Sequence, residues 1–355
     1  MTLKAKLQTL LLYFIPLVLL SLNSPVLAST PITCGTVATS TISTSGEQDD
    51  YTFTVPAGQT YAVTIRLTRT SGTMDPYLQL YNPGGERIAY NYSETSNYAQ
   101  IDHTNLTEGE YTIKVSDHGS DGETGDYSLI WQRTDSPCGA TPITCGTVST
   151  GTLGAIGEQN FYTFSASAND KVTIRLISTS NLDPYLELYH PNGTKITQYA
   201  ICPPTTGNYA KIDTTLPVTG TYTLIVSDCG QDESGGYRLY WQKLNNPCNT
   251  TSISCGLAAT SSLSVPGEQD FFTLNVNAND AVTIRLITTA GGMNPYLELF
   301  KPDGTPVMDP QGNCTGNYCP VNTVLNTAGT YMAIVSDCGN DASGNYNLSW
   351  NGMCQ

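Results

Sequence analysis

The chain has 355 residues, 30 acidic against 15 basic side chains, and a formal net charge of −15. A surface this acidic repels phosphate backbones, which excludes nucleic acid as a partner. With 39% hydrophobic and 13% charged residues the composition is that of a folding chain, and the length allows two or three domains.

Residues 1–28 begin with Lys4 and Lys6, run through an apolar stretch over 7–22 and end on Val26-Leu27-Ala28, which predicts a secretory signal peptide cleaved after Ala28. A retained anchor is the alternative, but Pro16 interrupts the run, which is short for a span. The mature chain is therefore expected to have no membrane span and to be secreted, extracellular or at the cell surface, where its cysteines oxidise.

After the leader the sequence repeats itself. Cys34-Gly35, Cys145-Gly146 and Cys255-Gly256 open three units, expected at 29–139, 140–249 and 250–355. Each then carries Gly-Glu-Gln (from Gly46, Gly157 and Gly267), Thr-Ile-Arg-Leu (from Thr64, Thr173 and Thr283) and Pro-Tyr-Leu-x-Leu (from Pro76, Pro184 and Pro295). Val-Ser-Asp (from Val115, Val226 and Val335) and Tyr-x-Leu-x-Trp (from Tyr127, Tyr237 and Tyr346) complete each copy. The period is too long for a solenoid and predicts three complete domains in tandem. Within a unit the apolar period is two: Val63, Ile65 and Leu67 alternate with Thr64, Arg66 and Thr68. In the second unit strands are expected at 143–150, 160–166, 171–179, 184–190, 194–200, 207–213, 220–227 and 236–242. Turns such as Pro191-Asn192-Gly193 separate them, so the fold class is all-β, three tandem jelly-roll-like β-sandwiches. Trp131, Trp241 and Trp350 are in phase with core leucines and are expected inside.

Eleven cysteines cannot all pair within one chain. The spacing favours Cys34–Cys138, Cys145–Cys248 and Cys255–Cys354, each closing one unit; the rival scheme joins Cys138 to Cys145 and Cys248 to Cys255. Cys202–Cys229 and Cys314–Cys338 are expected as second bridges, with Cys319 as the alternative to Cys314. Arg175 is expected to face Glu187, and Arg285 to face Glu298, across neighbouring strands.

Each unit has an acidic Gly-rich turn after its Val-Ser-Asp motif, with carboxylates four residues apart: Asp117 and Asp121, Asp228 and Asp232, Asp337 and Asp341. Hard oxygens in that spacing suit Ca²⁺, to which Glu47, Glu158 and Glu268 could add ligands. Asp also caps ordinary turns. No H-E-x-x-H, G-x-S-x-G or phosphate-binding loop occurs, and Asp232-Glu233-Ser234-Gly235-Gly236 is a turn before a strand rather than a nucleophile segment. The chain is expected not to be an enzyme.

The runs Gly46-Glu47-Gln48-Asp49-Asp50-Tyr51-Thr52-Phe53, Asp75-Pro76-Tyr77-Leu78-Gln79-Leu80 and Gly109-Glu110-Tyr111-Thr112-Ile113 resemble the bacterial pre-peptidase C-terminal domain. They are also similar to the collagen-binding domains of secreted clostridial collagenases. The resemblance spans all three units and implies a jelly-roll sandwich of the kind appended to secreted hydrolases, binding substrate or matrix and in some members calcium. The function expected is non-catalytic binding of extracellular polysaccharide or protein matrix, with Tyr90, Tyr92, Tyr98, Tyr199 and Tyr209 as contacts. The alternative is self-association into a surface layer or extracellular fibre.

Overall fold

The alternation of apolar and polar residues is resolved, in a computed structural model that describes residues 29–119, 121–200, 207–307 and 316–353, into pairs of packed sheets. Unit 1 contains β1 (Thr30–Pro31), β2 (Val37–Ile42), β3 (Gln48–Val55), β4 (Tyr61–Arg69), β5 (Pro76–Tyr81), β6 (Arg87–Tyr92), β7 (Tyr98–Leu106), β8 (Gly109–Asp117) and β9 (Gly125–Arg133). Its sheets have the orders β1-β3-β8-β5-β6 and β2-β9-β4-β7. Unit 2 repeats them with β10 (Thr141–Pro142), β11 (Val148–Leu153), β12 (Asn160–Ala166), β13 (Lys171–Ser178), β14 (Pro184–Tyr189), β15 (Lys195–Ala200), β16 (Tyr209–Thr215), β17 (Gly220–Asp228) and β18 (Gly235–Lys243). Unit 3 has β19 (Thr251–Ser252), β20 (Ala258–Leu263), β21 (Asp270–Val276), β22 (Asp280–Gly291), β23 (Pro295–Phe300), β24 (Tyr318–Leu325), β25 (Gly329–Asp337) and β26 (Gly344–Asn351), in the orders β19-β21-β25-β23 and β20-β26-β22-β24.

The inward residues of the two sheets fill one core per unit. In unit 1 Ile65, Leu67, Leu78, Leu80, Ile113 and Val115 are fully buried, and Phe53 stacks on Trp131 with centroids 4.4 Å apart. All three tryptophans lie in the cores, each Nε1 donating to the carbonyl of Ile32, Ile143 or Ile253, so that the short first strand is pinned to the last. The strand expected over 143–150 begins only at Val148, as β11, and β10 ends before it at Pro142. Gly146 turns the chain between them at φ 71° while its N–H donates to the Trp241 carbonyl, and a left-handed residue there ends one strand before the next begins.

Cys34–Cys138 and Cys145–Cys248 close units 1 and 2, each with Cα atoms 5.9 Å apart, which removes the rival linker scheme. Cys229, Cys255 and Cys338 are also disulfide-bonded, and their expected partners Cys202, Cys354 and Cys314 lie outside the described residues. Cys319 is buried in unit 3 opposite Leu286.

The expected pairs Arg175–Glu187 and Arg285–Glu298 do not form. Glu187 is bound by Arg66 Nη2 at 2.7 Å and Glu298 by Arg175, so the pairs link successive units. The reason is topological. Within a unit, Thr-Ile-Arg-Leu lies in one sheet of the sandwich and Pro-Tyr-Leu-Glu-Leu in the other, so their outward polar side chains leave by opposite faces. Each arginine therefore meets the carboxylate of the following unit. At the first junction Arg66 is 1% and Glu187 0% exposed, and Glu187 also accepts from Lys195 Nζ at 2.6 Å and Gln100 Nε2 at 3.0 Å. At the second, Ile177, Tyr240 and Leu244 pack on Phe271, Phe300, Met332 and Ile334.

Candidate functional site

Stacking uses up the face of the β10-β12-β17-β14-β15 sheet in unit 2 and of the β19-β21-β25-β23 sheet in unit 3, where Glu187, Tyr189, Ile225, Ile334 and Met332 are buried against the preceding unit. The corresponding face of unit 1 has no unit in front of it among the described residues, and its side chains differ accordingly. The cross-strand pairs Phe161–Ile225 and Phe271–Ile334 are replaced by Asp50–Lys114, an ion pair of 2.8 Å, and the junction glutamate by Gln79. Charged and polar groups at these positions suit a face in contact with water.

Beside this polar patch, β5 and β6 present an aromatic cluster. Register places Tyr90 opposite Gln79 and Tyr92 opposite Tyr77, so all share the outer face. Tyr77 meets Tyr90 and Tyr92 edge-on at 6.3 and 6.2 Å, and Tyr92 stacks flat on His118 at 3.6 Å. Arg87 lies over the Tyr90 ring at 4.7 Å and donates to the Tyr77 hydroxyl at 2.9 Å and to Gln79 Oε1 at 3.1 Å. Tyr90 remains 56% and Tyr92 43% exposed. Rings held at fixed angles by a guanidinium and an imidazole, on a sheet rather than a loop, offer apolar faces and hydroxyl donors at low entropic cost.

The acidic turns follow the last residue of β8, β17 and β25. A shared frame holds each: Asp117, Asp228 and Asp337 accept through Oδ1 from the backbone N–H of Asp75, Asp183 and Asn294 at 2.8, 2.9 and 2.7 Å. The second oxygen differs. In unit 2 it accepts from the N–H groups of Asp232 and Glu233, and in unit 3 from those of Asp341 and Ala342. In unit 1, Asp117 Oδ2 is buried with no hydrogen-bond partner, and the carboxylates of Asp117, Asp121 and Glu123 bring oxygens within 4.8 Å of one another. Burial, and then the charge of Asp121, raises the Asp117 carboxyl above its ordinary value. Burial likewise raises Asp228 and Glu233 in unit 2.

Glu47, Glu158 and Glu268 cap their own turns: Glu47 accepts from the N–H groups of Ser43 and Thr44, Glu158 from Gly154 and Ala155, and Glu268 from Ser264 and Val265. None of the three belongs to the Asp117 cluster. The Gly-Glu-Gln segment serves the junctions instead. A Cβ on Gly157 would meet Thr68 and Ser128 of unit 1, and the side-chain amide of Gln159 lies against the Arg66 guanidinium. A cleft of about 640 Å³ lies between units 2 and 3. Its acids Asp213 and Glu298 are paired with Lys211 at 2.8 and 3.3 Å.

Of the tyrosines singled out in the sequence, Tyr90 and Tyr92 share the open face. Tyr98 lies at the first junction under Arg66, and Tyr199 and Tyr209 are exposed on unit 2. Tyr77, Arg87 and His118 were missed. The pairing of Pro-Tyr-Leu with the following strand was their signal, because two residues apart on one strand means one face.

Residues 47–117 and 158–228 match the bacterial pre-peptidase C-terminal domain family. Among solved structures, the pre-peptidase C-terminal domain of a Bacillus anthracis collagenase is 19% identical, covering 30% of this chain and 98% of that one with a TM-score of 0.26. A triple jelly roll from the turret of an archaeal virus is 11% identical over 85% of this chain and 81% of that one, with a TM-score of 0.20. The muscle M-line assembly protein unc-89 of Caenorhabditis elegans is 28% identical over 131 residues, 37% of this chain; the match spans 2% of that relative's length.

Proposed function

We propose that this chain, which carries tandem bacterial pre-peptidase C-terminal domains, is a non-catalytic extracellular protein that binds a polysaccharide or protein-matrix polymer through the open five-stranded face of unit 1. The observation that carries this is the contrast between faces. Where the preceding unit stacks, the face bears Glu and Ile; on unit 1, with no unit in front of it among the described residues, it bears Tyr77, Tyr90, Tyr92 and Arg87 in a fixed cluster. Disulfides in each of the three units support an oxidising compartment, and the basic–apolar leader supports export. The test is retention of the full chain on insoluble polysaccharides and on fibrillar collagen, comparing wild type with the Tyr90→Ala/Tyr92→Ala double variant and with Tyr199→Ala. Loss of two anchoring rings, each contributing about 1.4 kcal/mol, lowers affinity about 100-fold. Tyr199→Ala leaves it unchanged. Retention that ignores the double variant, or no retention on any polymer, rejects the proposal.

A second reading, end-to-end assembly, is favoured by one observation. Arg285 stands exposed on the outer face of β22, at the position where Arg66 and Arg175 are buried by the next unit, beside the exposed cross-strand pair Ile287 and Tyr318. Light scattering after size-exclusion separates the readings: oligomers that dissociate in Arg285→Glu support assembly, and a monomer rejects it.

A further inference from the structure

We propose that the turn between β8 and β9 of unit 1 binds one calcium ion through Asp117, Asp121 and Glu123. Three independent features converge there. The first is the donor set: three carboxylates of one turn, with oxygens within 4.8 Å of one another. These are hard, anionic oxygens on an irregular loop, which suits calcium's flexible coordination by six to eight oxygens better than the strict octahedron of magnesium.

The second is an unsatisfied group. Asp117 is 8% exposed, and its Oδ2 has no hydrogen-bond partner although it lies among the other two carboxylates. A buried anionic oxygen without a donor is costly, and the same repeat position shows how the fold avoids that cost elsewhere. Asp228 Oδ2 takes two turn amides at 3.1 and 3.3 Å, and Asp337 Oδ2 takes two at 3.1 and 3.2 Å. Unit 1 keeps the aspartate and its Oδ1 bond to Asp75 but directs the second oxygen at acids, an arrangement a cation completes.

The third is what fastens the turn. In units 2 and 3 the residue after the aspartate is Cys229 or Cys338, each tied by a disulfide. In unit 1 that residue is His118, held by its stack on Tyr92 and by Glu94 at 3.3 Å. The cation would clamp in unit 1 what a covalent bridge clamps in its sister units. It would also anchor the imidazole that supports the Tyr92 ring, although the site stands whether or not that ring contacts a polymer.

The experiment uses the full chain with Ca²⁺ and Tb³⁺ as probes. Calorimetric titration should give one equivalent of Ca²⁺ per chain. Tb³⁺ should give tyrosine-sensitised emission that Ca²⁺ displaces, because Tyr77 and Tyr92 pack about His118 next to the site. Asp121→Asn, at an exposed position, and Glu123→Gln should each weaken binding at least 10-fold. They should also remove the calcium-dependent rise in melting temperature without lowering the calcium-free one. Asp232→Asn, the matching change in unit 2, should leave binding intact. No heat or emission at millimolar calcium, binding that survives both Asp121→Asn and Glu123→Gln, or binding lost in Asp232→Asn would each overturn the assignment.

Discussion

Replacing Glu187 by Ala removes the carboxylate on which four donors of the first junction converge: Arg66 Nη2 at 2.7 Å, Lys195 Nζ at 2.6 Å, Gln100 Nε2 at 3.0 Å and the Tyr189 hydroxyl at 3.4 Å. Arg66, 1% exposed, is then left as an uncompensated buried cation. Breaking a buried pair from one side costs about 3–5 kcal/mol. Units 1 and 2 have separate cores, so the chain need not unfold to relieve this; it can part the two faces and return Arg66 to water. The expected outcome is therefore undocking. In scanning calorimetry the transitions of units 1 and 2 separate, and in small-angle scattering the radius of gyration rises. The double variant Arg66→Met/Glu187→Leu, which replaces the pair by apolar groups of similar size, restores coupled melting. If Glu187→Ala melts and scatters as wild type does, the junction is not held by this pair and the reasoning fails.

Two further outcomes follow from the same geometry. Burial opposes ionisation of Asp102, but Lys195 at 2.6 Å and hydrogen bonds outweigh it and hold the carboxyl below its ordinary value of 3.8. A depressed carboxyl stabilises above the unfolded value and loses that contribution as pH falls through the native one, so scattering should show a constant radius from neutrality to about pH 4 and loosening at lower pH. Removing Cys34–Cys138 by a double Ser substitution opens a closure of 104 residues, which the chain-entropy account values at about 4.7 kcal/mol. The melting transition of unit 1 should fall while that of unit 3 stays in place.

The repeat, the sandwich class, the buried tryptophans and the two described closing disulfides were all legible in the sequence, because each depends on period-two alternation or on spacing within one unit. The ion pairs were not. Arg175 and Glu187 are close in sequence and alternate in phase, yet their strands lie in different sheets, and only the topology shows that each meets another unit. The same limit hid the open face of unit 1. Asp50, Gln79 and Lys114 are ordinary surface residues in one copy, and they become informative only beside the buried Phe161, Glu187 and Ile225 of the next. The acidic turns were visible as a motif, but the difference between Asp117 and its counterparts depends on where turn amides point, which residue spacing does not encode.

Hydrogen exchange on the full chain, with and without a polymer that retains it, tests most directly whether unit 1 carries the binding face. Protection is expected over β5, β6 and the turn after β8, with the outer faces of units 2 and 3 unchanged. Protection confined to units 2 or 3, or none in a complex that demonstrably forms, would contradict it.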